Sequence, residues 1–312
     1  MKRRLKTIYK NLCRCGAAEW TVYVSYQLIR CVKENLPLRN SFFELANRVF
    51  GLSFQEWYES GYWTDLYIPY AICEGGRVVS NVSVNIMEFS WNGAPRRYIQ
   101  LGTVMTAPER RGKGLSRRLM EAVLEDWKNR CDALYLFANN TALDFYPKFG
   151  FERAEEYKAC AAITPKGGKY RKMNLSDAAD LALLKKYYQK SNPYSALAFQ
   201  NNFGLLMFYC SSFLKDCIYF AEEADAVVVA EQTGGTLLCY DIYGGRTGSV
   251  LEILETVAGE EITKAVLGFT PKAPEGFQFE KVCAADDALF LLKGKENILC
   301  KNRLMFPLLS HA

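Results

Sequence analysis

The segment Ile99-Gln-Leu-Gly-Thr-Val-Met-Thr-Ala-Pro-Glu-Arg-Arg-Gly-Lys-Gly-Leu-Ser116 constrains this chain more than any other. An apolar strand runs out into a loop holding Gly112 and Gly114 among Arg110, Arg111 and Lys113. Arg117 to Asn129 then reads as an amphipathic helix, with Leu119, Met120, Val123, Leu124 and Trp127 at three- and four-residue spacing. A chain that turns from a strand through such a loop into a helix presents several backbone N–H groups at the positive end of the helix dipole, which is a cradle for phosphate. The two glycines permit close backbone approach and dihedrals closed to other residues. A P-loop NTPase needs Gly-x4-Gly-Lys-[Ser/Thr], which is not the spacing here. A dinucleotide fold needs a third glycine where this chain has Arg117. A polar strand–helix turn without a ligand is the bland alternative.

The elements around this loop suggest an α/β chain, of α+β type with a mixed sheet, in two lobes. Residues 1–22 read as an N-terminal extension, Tyr23 to Val32 as a strand, and Ser41 to Phe50 as a short amphipathic helix. Ile68 to Cys73 and Arg77 to Phe89 form a predicted hairpin across Glu74-Gly-Gly, and Asn92-Gly93 turns the chain into Tyr98–Thr106. Ala133 to Ala138 reads as a buried strand, and Asn139 to Lys148 as a helix closed by Gly150. Thr164-Pro-Lys-Gly-Gly-Lys-Tyr170 has linker composition, which places a boundary near residue 166 and divides the chain into 23–165 and 166–312. Beyond it the order partly recurs: a helix over Leu175–Gln189, three strands in Cys217–Tyr243, a helix over Ser249–Ala258 and a strand over Ile262–Phe269. The second lobe is thus read as a degenerate repeat that lacks the phosphate loop.

Composition narrows the partners. A chain of 312 residues, half of them apolar, suits two ordinary domains. The net charge of +5 is spread along the chain, with no continuous basic stripe for nucleic acid. Eleven cysteines lack the paired spacing of a structural zinc site, Cys13 and Cys15 having no second pair, so no metal is expected. The odd cysteine count and the absence of a signal-like apolar run point to reduced thiols and a cytoplasmic location. The longest apolar stretch, Phe203 to Leu214, is too short to span a bilayer, so no membrane partner is expected.

Arg111-Gly-Lys-Gly-Leu-Ser116 resembles the phosphate-loop pattern [Arg/Gln]-x-x-Gly-x-[Gly/Ala] of the GNAT superfamily of N-acetyltransferases, with serine at the last position. Asn139-Asn-Thr-Ala142-Leu-Asp-Phe145-Tyr146-Pro-Lys-Phe-Gly150-Phe151 is similar to that family's second motif at every fixed position. The resemblance covers roughly residues 23–160. It implies a GNAT fold, with acetyl-CoA as co-substrate. Backbone groups of Val104, Met105 and Thr106 would pair with the pantetheine arm, and N–H groups of Arg111, Gly112, Lys113, Gly114, Leu115 and Ser116 would hold the pyrophosphate. The Ser116 hydroxyl is expected to reach a phosphate oxygen. Asn139 would contact the cofactor from the other side, and Tyr146 would be the acid for the departing thiolate.

The implied reaction is transfer of an acetyl or short acyl group to a primary amine of a small molecule or peptide. Glu88, Asp65 and a water relay are candidates for the base, whereas His311, the sole histidine, is expected to be exposed at the C-terminus. The aromatic run Trp57–Tyr67 is either acceptor pocket or core. The two-lobed plan is similar to the enhanced-intracellular-survival acetyltransferases, in which the terminal carboxylate enters the site; that role is not expected of Ala312. A non-catalytic acyl-CoA-binding protein is the alternative, with Tyr146 silent. Aminoacyl transfer is disfavoured by the intact CoA loop. A homo-oligomer is compatible with these features.

Overall fold

The structure, a computed structural model, describes residues 25–245, 248–283 and 287–312. The extension at 1–22 and the Cys13/Cys15 pair lie outside the described residues. In chain order the elements begin with β1 (Gln27–Ile29), α1 (Leu36–Phe50), α2 (Gln55–Glu59), β2 (Tyr67–Glu74), β3 (Arg77–Trp91), β4 (Ala94–Thr106), α3 (Leu115–Trp127), β5 (Ala133–Ala138), β6 (Phe151–Arg153) and β7 (Tyr157–Ala162). Then follow β8 (Tyr170–Lys172), α4 (Ala178–Tyr188), β9 (Leu197–Gln200), α5 (Phe203–Cys210), β10 (Ile218–Ala221), β11 (Ala226–Thr233), β12 (Thr236–Gly244), α6 (Val250–Val257), β13 (Lys264–Leu267), β14 (Gln278–Lys281) and β15 (Ala288–Leu292).

Local chemistry accounts for several boundaries. α1 starts before the expected Ser41 because Asn35 caps it, its side chain accepting from the Leu38 amide with a proline in the first turn. It stops at Gly51, whose φ of 70° only glycine adopts cheaply. α6 carries a full capping box between Ser249 and Glu252. The helix expected over Asn139–Lys148 is instead two short 3-10 turns, Asn140–Ala142 and Tyr146–Phe149. Pro147 explains the break, since it supplies no N–H to bond back into a preceding helical turn.

The strands form two mixed sheets. The first has the order β1-β2-β3-β4-β5-β15-β6, with β9 paired to the far end of β3. The second has the order β14-β7-β13-β12-β11-β10-β8. β15, late in the chain, lies antiparallel between β5 and β6, from Ala288↔Ala138 to Leu292↔Phe151. β7, early in the chain, pairs with β13 and β14. The continuous apolar run of β15 suits a strand covered on both faces.

By compactness the chain forms two units that do not follow chain order. One comprises the described residues up to Gln55, Tyr67–Val84 and Gly102–Trp127; the other comprises the described residues of Glu56–Leu66, Asn85–Leu101 and Lys128–Ala312. In the first, Phe42, Phe54 and Tyr67 form a buried aromatic core, with Phe54 stacked on Tyr67 at 5.7 Å. In the second, Phe306 stacks face to face on Tyr135 at 4.0 Å, among Phe89, Tyr98 and Phe199. Among the described residues no helix is long and apolar enough to cross a membrane.

Candidate active site

The end of β4, the glycine loop and the start of α3 all belong to the first unit. Gly112 and Gly114 have φ of 75° and 74°, and a Cβ on either would meet nothing within 4 Å. The glycines are therefore there for backbone conformation, with open space beside them. Arg111, Gly112, Lys113 and Gly114 are exposed, while Leu115 turns its side chain into the core. The first turn of α3 holds no acidic residue, so nothing there cancels the positive end of its dipole.

The cations of this loop divide by partner. Arg110 is bound to Glu74, and Glu109 takes a bidentate contact from Arg48 at 3.0 and 2.7 Å, which holds its carboxyl down to about 2. Arg110 thus serves the loop's anchorage. Arg111 turns its Nε toward the Thr106 carbonyl at 3.3 Å. The Arg111 amide is given to the Pro108 carbonyl at 3.3 Å, so the two remaining guanidinium nitrogens of Arg111, the ammonium of Lys113 and the amides from Gly112 to Ser116 are the donors an anion would meet.

The loop is tied to β4 by hydroxyls. Ser80 Oγ donates to the Met105 carbonyl at 3.0 Å, and its oxygen lies 2.7 Å from Thr106 Oγ1, which lies 2.8 Å from Ser116 Oγ. Each hydroxyl has one proton, so the direction is set: Ser116 donates to Thr106, Thr106 to Ser80, and Ser80 to the carbonyl. The Ser116 proton is thus given to Thr106 within the fold.

Within β4, Thr103 has a φ of 47°. That is an outlier for a β-branched residue, and its neighbours hold it. Its carbonyl accepts from Asn81 Nδ2 at 3.0 Å, and its Oγ1 lies 2.9 Å from Tyr67 OH. Asn81 Nδ2 also donates to Ser83 Oγ, and Ser83 Oγ donates to Tyr67 OH, each at 2.9 Å. Burial pushes the Tyr67 phenol up to about 12, against the lowering effect of these bonds. The sequence reading passed over this ring. Its visible signal is the polar alternation Asn81, Ser83, Asn85 inside a strand that is otherwise apolar.

The other expected site residues lie in the second unit. Asn139 is exposed, and its Oδ1 accepts from both the amide (3.1 Å) and the hydroxyl (2.7 Å) of Thr141. It caps the 3-10 turn and keeps Nδ2 as its outward donor. Tyr146 is 4% exposed, with its ring against Phe145, Phe151 and Phe290. Desolvation pushes its phenol up to about 12, so it is protonated at neutral pH. β4 pairs parallel with β5 from Tyr98↔Ala133 to Leu101↔Leu136, and the ladder ends there although β4 runs on to Thr106.

The aromatic run is largely core: Trp57 and Trp63 are buried and stacked at 5.9 Å, and Trp57 Nε1 donates to the Gly204 carbonyl at 2.6 Å. Glu88 accepts from Asn201 Nδ2 at 2.8 Å. His311, expected exposed, is half-buried with Nε2 removed from solvent, and its ring stacks on Phe137 at 3.9 Å. Desolvation lowers its pKa to about 4. The Ala312 carbonyl takes a 3.3 Å contact from Gln100 Nε2. Among the described residues no group of three or more histidine, cysteine or acidic side chains is placed to hold a metal.

The acetyltransferase (GNAT) domain family matches residues 37–154. Those residues are a GNAT domain. They hold both the phosphate loop and the Asn139–Phe151 motif. No sequence relative among curated proteins matches. Solved structures carry the fold over most of the chain. A probable N-acyltransferase from Enterococcus faecalis is similar at 16% identity, with 86% of this chain and 72% of that one covered and a TM-score of 0.58. GCN5-related N-acetyltransferases from Kribbella flavida (17% identity, 86% and 71%, TM-score 0.54) and Anabaena variabilis (15%, 86% and 72%, 0.53) are similar too. The likeness reaches beyond the GNAT domain into the second lobe, as a two-lobed GNAT-like chain requires.

Proposed function

We propose that this chain is an acyl-CoA-dependent N-acyltransferase that moves an acetyl or short acyl group to a primary amine of a small molecule or peptide. The carrying observation is the loop itself: Gly112 and Gly114 left-handed and open, leading into a helix whose first turn lacks any acid. Amides of Gly112 to Ser116 hold the pyrophosphate, and the backbone of Val104 to Thr106 receives the pantetheine arm. Residues 23–165 form the transfer lobe, and 166–312 a GNAT-like lobe without a cofactor loop.

In the reaction a neutral amine attacks the thioester carbon, a C–N bond forms and the C–S bond breaks. The carbonyl oxygen gathers negative charge and is met by a backbone N–H near Val104. The amine proton passes to water or to a carboxylate such as Glu88 or Asp65. Tyr146, held protonated, donates to the thiolate sulfur as it leaves.

The close packing of Tyr146 on Phe151 and Phe290 favours a second reading, a non-catalytic acyl-CoA binder in which this ring is only core. Calorimetric titration with acetyl-CoA tests the shared premise. Micromolar binding that disappears in an Arg111→Glu, Gly114→Trp double variant supports the loop as a CoA site. Absence of binding by the unaltered protein refutes both readings.

A further inference from the structure

Asn81, Ser83 and Tyr67 are linked by hydrogen bonds to both the carbonyl and the hydroxyl of Thr103. Asn81 Nδ2 gives one proton to Ser83 Oγ and one to the Thr103 carbonyl; Ser83 gives its proton to Tyr67 OH, which lies 2.9 Å from Thr103 Oγ1. Asn81 and Ser83 are fully buried. The orientation of the Asn81 amide follows from the Thr103 carbonyl, since a flipped amide would set Oδ1 against that acceptor. That orientation leaves Asn81 Oδ1 buried without a partner. An orphaned acceptor costs about 1–3 kcal/mol, so fold stability alone is a poor reason for an asparagine here. The ring instead holds a threonine in the left-handed region inside a strand.

The consequence lies one residue on. The Thr103–Val104 peptide is trans, so its C=O and N–H point in opposite directions. With the carbonyl held toward Asn81 on β3, the Val104 N–H is aimed away from β3. The ladder agrees: the Ala107 amide donates to the Val79 carbonyl, and bonded amides alternate along an antiparallel pair. Residues 105 and 107 therefore turn their amides to β3, and Val104 turns its amide to the opposite edge. The β4–β5 ladder has already ended at Leu101↔Leu136.

We infer that Asn81 is a positioning residue for acyl transfer, which fixes the direction of the Val104 amide as the donor to the thioester carbonyl. The inference rests on the acyl-CoA reading above and names the part of β3 that makes it work. Asn81 does not touch the substrate; it acts through the Thr103–Val104 peptide. Tyr67 and Ser83 complete the ring and hold the side chain of Thr103.

Isotope-edited infrared spectroscopy with acetyl-CoA labelled at the carbonyl carbon tests this without an acceptor amine. In the unaltered protein the bound carbonyl stretch should move to lower frequency than in free acetyl-CoA, as a donor at the oxygen requires. In Asn81→Ala that displacement should be lost, while calorimetric affinity for CoA lacking the acetyl group stays within about threefold. Tyr67→Phe, which removes the hydroxyl between Ser83 and Thr103 Oγ1 but keeps the Asn81 bond to the Thr103 carbonyl, should give a smaller loss and serves if Asn81→Ala does not fold. A displacement retained in full in Asn81→Ala, or in Tyr67→Phe where only that variant folds, overturns the positioning role and leaves the acyl-CoA reading standing. No displacement in the unaltered protein, with binding intact, does the same. Failure of the unaltered protein to bind acetyl-CoA is a different result and removes the reading beneath it.

Discussion

Ser116 Oγ donates to Thr106 Oγ1 across 2.8 Å, which fastens the first turn of α3 to the last residue of β4. This relationship explains a serine where the family's loop prefers glycine or alanine. The hydroxyl is a strut between strand and helix.

Replacing the strut should separate stability from binding. Ser116→Ala removes one partly buried hydrogen bond and should cost about 1 kcal/mol in urea unfolding. Acetyl-CoA affinity should stay within about threefold, because the amides are unchanged. A loss of affinity beyond about tenfold would mean that the hydroxyl does reach the cofactor.

Gly114→Ala should do the reverse. Its φ of 74° strains any L side chain by about 1–2 kcal/mol, and its Cβ enters the open space where a pyrophosphate would lie. Acetyl-CoA affinity should fall by about tenfold or more. Gly75→Ala, at φ 56° in equally open space in the β2–β3 turn, should show similar strain with binding intact. Equal affinity in the two variants would count against the loop as the phosphate site.

Tyr146→Phe distinguishes enzyme from binder. Turnover should fall about 100-fold with acetyl-CoA affinity unchanged if the phenol donates to the leaving thiolate. A silent substitution would assign the ring to the core. With its pKa raised to about 12, the folded phenol keeps its proton while the unfolded one ionises near 10. Its contribution to stability is therefore present below pH 10 and declines between 10 and 12, and it adds no limb to the pH–rate profile at neutral pH.

Glu156 carries a pH dependence of stability in the accessible range. It is 8% exposed, accepts from the Phe306 amide at 2.8 Å, and is pushed by burial from 4.5 up to about 7. Since the folded pKa is raised, its contribution is whole below pH 4.5 and is lost as pH rises toward 7. The loss is about 3 kcal/mol by pH 8. Glu156→Gln should remove that slope and leave the protein more stable than the unaltered chain at pH 8, as read from urea midpoints at pH 5 and pH 8. A slope unchanged by the substitution would place the titration elsewhere.

Much of the region matched by the GNAT domain was legible because its signals are local. Gly112 and Gly114 mark positive dihedrals, and the spacing of Leu119, Met120, Val123, Leu124 and Trp127 marks a helix face; all but the half-buried Leu124 are buried. The hairpin of β2 and β3 and the strands of β10 to β12 are likewise visible as short apolar runs between turn residues. The Asn139–Tyr146 motif was legible as a pattern, but its helix was not, because Pro147 acts on geometry that the pattern does not encode.

Read alone, the sequence determined the left-handed glycines of the loop and the helix behind it, since these depend on residues within a few positions of one another. Only the tertiary structure decided which hydroxyls and carboxylates remain for chemistry. Arg110 went to Glu74, Ser116 to Thr106 and Glu88 to Asn201, each through a partner distant in sequence. It also decided that β15 covers β5 and that β7 joins the second sheet. Strand pairing is a contact between backbones, and backbone N–H and C=O groups are the same in every residue but proline, so order along the chain does not reveal which edge a strand will find.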